Sequence, residues 1–199
     1  MRRALAMVVV LAATTAFADA PKPGDMVNNP PYAHWAQFPV GTAVTVKEVV
    51  TLADGSLAET VVTSKLIAKD KNRLTVETVA VGGAGGQHGG AAEQTKTLTD
   101  YPAKVKFEHA HSQVSTGYSV TEGKEVVDLK GKQVEAEWVE ATTANGDETV
   151  VEKVWTAQDV PGGIVKQTVT RKKAGKVASQ STLSVIEIAK AQPESPAKK

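Results

Sequence analysis

The chain contains no cysteine. That single absence excludes a disulfide framework, a thiolate metal site, an iron–sulfur cluster and a cysteine nucleophile. Aromatic residues are scarce: three Trp, three Tyr and three Phe in 199 residues, too few to fill a core and also line a wide apolar cavity. Neither sign of charge prevails. Lys and Arg number 23 against 22 Asp and Glu, so the footprint of a nucleic-acid binder is missing. No apolar run approaches the roughly 18–20 residues a spanning helix needs; Ala4 to Ala13 is unbroken for only ten.

What the chain does have is valine and threonine. It holds 29 Val and 21 Thr against 9 Leu and 4 Ile. β-Branched side chains are stiff at χ1 and suit a pleated surface, whereas a helical protein of this size would be richer in leucine.

The first residues read as a secretory signal peptide. Arg2 and Arg3 precede the apolar run, and Ala16-Phe17-Ala18-Asp19-Ala20 supplies small residues for cleavage. Cleavage after Ala18 is preferred to cleavage after Ala20, because Pro21 would then follow the cut directly. Loss of residues 1–18 leaves 21 basic against 22 acidic residues, a net charge of −1. The expectation is a soluble periplasmic or extracellular protein with no lipid-bearing cysteine. That compartment lacks an ATP pool and suits a cysteine-free chain.

Residues 19–33, with Pro21, Pro23, Pro30 and Pro31, read as an extended leader. Residues 34–189 read as one β domain, and 190–199 as a disordered tail. Short alternating runs are separated by turn dipeptides such as Asp54-Gly55 and Asn145-Gly146. Residues 82–90 hold six glycines in nine positions and read as a floppy loop. Turns are also expected at 122–124 and 130–132, and a turn or two of helix at 31–38 or 98–104. The fold class is therefore all-β: an antiparallel meander of nine to eleven strands, forming a curved half barrel or a closed barrel, with little helix.

Candidate chemistry is sparse. His109 and His111 form a His-x-His whose imidazoles share a face on a strand, so both can reach one metal ion, with His88 as a third ligand. Gly82 to Gly90 lacks the Gly-Lys-Ser/Thr ending of a phosphate loop. No Gly-x-Ser-x-Gly is present, and Glu135, Glu137 and Glu140, with Lys132 and Lys153, read as a solvated face and not a glycosidase pair. No cofactor and no enzymatic activity are expected. Trp138 and Trp155 fall on the two arms of the Asn145-Gly146 hairpin. They either floor a concave binding surface or belong to the core.

The stretch 122–171 carries a resemblance. Glu122-Gly123-Lys124-Glu125, Gly131-Lys132, Lys153-Val154-Trp155 and Pro161-Gly162-Gly163-Ile164-Val165-Lys166 follow in order. This resembles the TapB-like secreted β-proteins of bacteria, and the layout is similar to the half barrels of LolA/LolB-like lipoprotein carriers. The resemblance implies a fold and a compartment, not an activity. Taken together, the expected function is non-catalytic binding of a hydrophobic ligand or lipid-linked partner on a concave sheet. The alternative is a structural or protein-interaction module of the cell envelope, with another envelope protein as partner.

Overall fold

A computed structural model describes residues 22, 24–83, 93–107 and 118–191. It begins with a short strand, β1 (Met26–Asn28), and a helix, α1 (Pro30–Ala36). Strands β2 (Ala43–Leu52), β3 (Leu57–Lys69), β4 (Arg73–Gly83), β5 (Glu93–Pro102) and β6 (Lys104–Lys106) follow. The chain then returns through β7 (Tyr118–Leu129), β8 (Lys132–Asn145), β9 (Glu148–Thr156), β10 (Ile164–Lys173) and β11 (Lys176–Ala189).

Nine strands form one antiparallel sheet in the order β5-β4-β3-β2-β11-β10-β9-β8-β7, and β1 pairs with β6 apart from it. The sheet is curved and open, with β5 and β7 as its two ends, so the half-barrel form of the expected fold is the one adopted. It consists of two meanders joined where β2 meets β11, through pairs from Ala43↔Ala189 to Leu52↔Ser179. Each meander follows from local turn chemistry. Asp54 closes the β2–β3 turn by accepting hydrogen bonds from the Ser56 amide and hydroxyl. In the second meander the β8–β9 hairpin, at Asn145-Gly146, ends with Asn145 opposite Glu148.

Of the two places expected to hold a turn or two of helix, 31–38 holds α1, while residues 98–102 lie in β5 and Lys104 in β6. One local expectation is corrected. Glu122-Gly123-Lys124 is not a turn but the middle of β7, which runs unbroken from 118 to 129. The reason is the neighbour: Trp138 pairs with Gly123, and a Cβ at 123 would stand 2.7 Å from the indole. Glycine is there to let a ring lie flat on the strand.

The core gathers at one end of the strands. Val44, Leu66, Leu74, Val76, Val134, Ala136, Trp155, Val165 and Val185 are buried, each near the same end of its strand. Trp35 of α1 and Val160 of the 157–163 turn join them. The opposite end is left to Thr, Ser and Lys, with Leu52, Leu57, Val81 and Val177 exposed.

Part of the expected leader is ordered into β1 and the first half of α1. Pro30 and Pro31 occupy the start of the helix, where a missing N–H costs nothing. The Lys69 ammonium donates to the carbonyls of Ala36 and Phe38, both at 2.8 Å, and so caps the helix end. Tyr32 donates its hydroxyl proton to the Asp70 carbonyl, and Gln37 donates to the Gln158 carbonyl. The helix is thus tied to both halves of the sheet and spans its end.

On the far side of α1, His34 rests on Gly163, where a Cβ would stand 2.7 Å from the imidazole. Burial lowers the His34 pKa from its ordinary 6.5. The unfolded chain therefore binds the proton more readily than the folded one. This contribution leaves stability intact above about pH 6.5 and erodes it below, levelling off under the folded value. Urea midpoints are expected to fall on acidification through this window, with a shallower fall in His34→Gln. An identical slope in the variant would assign the effect elsewhere.

Candidate ligand groove

Strand register builds a row across the sheet: Gly123, Trp138, Trp155 and Lys166 stand side by side on β7, β8, β9 and β10. Directly paired residues share a face, so the two tryptophans are cross-strand neighbours. Their environments differ. Trp155 is 6% exposed and part of the core, and its indole N–H donates to the Glu125 carboxylate. Trp138 is half-buried and lies over Gly123.

Two ammonium groups cover the rings. Lys153 Nζ is 3.9 Å from the centre of the Trp138 ring and 4.7 Å from that of Trp155. Lys166 Nζ is 4.9 Å from Trp155. Each contact contributes on the order of 0.5–2 kcal/mol, more as water is excluded. Lys153 Nζ also lies 3.9 Å from the Glu125 carboxylate, a longer and weaker contact. Lys153 stands directly opposite Glu140, one of its expected partners, but on the tryptophan face, whereas Glu135 and Glu137 alternate onto the other face of β8. It sits two residues before Trp155, hence on the same side of β9.

Beside this row runs a groove of roughly 380 Å³. Its walls are residues 125–129 of β7 on one side and Val165, Lys166, Ser184 and Val185 of β10 and β11 on the other. In a flat sheet β7 and β10 would stand three strand spacings apart, about 14 Å. They line one groove because the sheet curls, which places the groove on the concave side. A register shift between Ile164 and Lys166 contributes: the extra residue, Val165, is fully buried, and Lys166 stays opposite Trp155. Val127, Leu129, Val165 and Val185 supply apolar side chains and Glu125, Lys166 and Ser184 polar ones, while Val126 and Asp128 alternate with them and point to the other face of β7. The Asp128 carboxylate also accepts the Gly131 amide at 2.7 Å and so holds the β7–β8 turn.

The structure thus brings Trp138 and Trp155 together. His109 and His111, the expected metal ligands, lie outside the described residues, as does His88. Among the described residues no group of three His, Asp or Glu is placed to hold a metal ion, and no helix is long and apolar enough to cross a membrane. Glu125 and Lys166 were not singled out from the sequence. Lys166 directly follows the bulged residue, and alternation alone does not reveal which side a bulge assigns to its neighbours.

No family model matches the chain, and no curated protein matches it. Similar solved structures include a candidate exported protein with a YmcC-like fold from Bacteroides fragilis, 12% identical at a TM-score of 0.43, covering 77% of this chain and 97% of that one. Another is a candidate lipoprotein from Parabacteroides distasonis, 11% identical at 0.42, covering 76% and 97%. A LolA superfamily protein from Nitrosomonas europaea is 12% identical at 0.23, covering 81% and 91%. At these identities and TM-scores the likenesses assign no function to this chain.

Proposed function

We propose that this chain is an exported, non-catalytic binding protein that holds an apolar ligand or lipid-linked partner in the β7–β10 groove. The groove itself carries the reading. Its volume falls at the small end of ligand sites, about 300–1,000 Å³, and Val127, Leu129, Val165 and Val185 line it beside the row that holds the partly buried Trp138. Export rests on the signal-peptide layout of residues 1–18. The size of the groove and the few aromatics favour a single slender chain over a bulky ligand.

Native mass spectrometry and solvent extraction of the purified protein are expected to show a co-purified apolar molecule. Trp138→Ala is expected to weaken its retention about tenfold, the loss of one good contact. A groove empty in every preparation, with no uptake of a fluorescent acyl probe, would overturn the proposal.

A second reading, an interaction module of the envelope, is favoured by the two end strands. Among the described residues β5 pairs only with β4, and β7 only with β8. Both carry exposed apolar side chains, Leu98 at 60% and Val126 at 62%. Such edges are templates for another strand.

A further inference from the structure

Among the described residues no strand pairs with the outer edge of β7, and the side chains along β7 select a partner. Twelve residues long, the strand exposes Tyr118, Val120 and Val126. Edges of this length are normally interrupted by a bulge, a proline or inward charge, yet β7 pairs with β8 in unbroken register from Tyr118↔Thr143 to Leu129↔Lys132.

Suppose two copies meet along this edge, antiparallel, about a two-fold axis perpendicular to the sheet. Such an axis keeps each residue on its own face, so residue i can oppose only a residue of the same parity. The central registers then have their axis at 122, 123 or 124. An axis at 122 sets Glu122 against Glu122, and one at 124 sets Lys124 against Lys124. With the axis at Gly123, Glu122 opposes Lys124 twice and Val120 opposes Val126 twice. Glycine at the axis brings no side chain of its own there, and the Trp138 rings of the two copies, each lying over its own Gly123, become neighbours across the seam. The charges at 122 and 124 thus single out this register, which also sets Val120 against Val126 and Tyr118 against Asp128.

We propose that two copies of this chain associate through β7, with the two-fold axis at Gly123, joining their sheets into one. The inference gives the edge-strand reading a definite partner and does not depend on the groove holding a ligand. Lys124 already meets Glu137 on β8 at 2.9 Å. In the dimer it lies between Glu137 of its own chain and the second copy's Glu122.

Sedimentation of the full chain over a concentration series is expected to show a reversible monomer–dimer equilibrium. Lys124→Glu sets like charges opposite each other twice and should raise the dissociation constant about tenfold or more. The double variant Glu122→Lys with Lys124→Glu should restore association. Single and double variants lose the contact with Glu137 equally, so rescue reports on the contact between copies alone. A chain that stays monomeric at every concentration overturns the proposal, and so does a dimer that ignores both variants. Ligand retention, measured on the same samples, tests the groove separately.

Discussion

Trp35→Ala is expected to lower the unfolding free energy by about 3–5 kcal/mol, the range for removing a buried large ring. The ring is 4% exposed and is the largest side chain that α1 places in the core. A domain of this kind has a total stability of about 5–15 kcal/mol, so the variant should be close to unfolding at room temperature. The effect is large because nothing else can take the ring's place. The core lies at one end of a sheet built from small side chains, and a seven-residue helix closes that end. Urea titration followed by circular dichroism measures the loss. A change below about 1 kcal/mol, the level of an ordinary surface substitution, would show that the helix is dispensable to the core. Gly163→Ala should damage the same joint from the other side. Its φ of +82° and the His34 ring at 2.7 Å oppose a methyl group on two separate grounds.

The second large effect separates the two tryptophans of the cross-strand row. Trp155→Ala is expected to lose about 3–5 kcal/mol, whereas Trp138→Ala, with its ring only partly buried, should lose about 1–2. Trp155→Phe keeps most of the packing but leaves the Glu125 carboxylate without its indole donor, at a cost of about 1–3 kcal/mol. Urea midpoints of the three variants give the order directly. With only three tryptophans in the chain, each variant also removes an identifiable share of the fluorescence. Equal losses for Trp138→Ala and Trp155→Ala would mean that both rings are core and that no aromatic ring is left beside the groove to meet a ligand. A selective loss of ligand in Trp138→Ala, with the fold intact, would place that ring in the binding surface.

Much of the architecture was legible before the structure because strand formation depends on information a few residues long. Alternation marked Leu74, Val76 and Ala80 against Thr75 and Glu77, and β4 is where it pointed. Asp54-Gly55 and Asn145-Gly146 turn the chain where their chemistry allows it. Gly123 shows the limit of that reasoning. Between Glu122 and Lys124 a glycine looks like a turn, and only the position of Trp138 on the neighbouring strand explains it as a strand residue. Part of the proline-rich leader misled in the same way. Pro30 and Pro31 stop a helix from running backward but begin one running forward.

The sequence by itself determined that the chain is all-β, that its links are hairpins, and which residues share a face along each strand. These follow from χ1 stiffness, period-two alternation and turn chemistry, all local. Only the tertiary structure decided that β2 pairs with β11, which makes β5 and β7 the two ends of the sheet among the described residues. It also decided that Trp155 is buried while Trp138 is half-open, and that residues 125–129 face 165–185 across a groove. The curl of a nine-stranded sheet sets those relations through the packing of segments far apart in the chain. Period and composition say which side of a strand a residue occupies, and the curvature of the whole sheet says what stands opposite it.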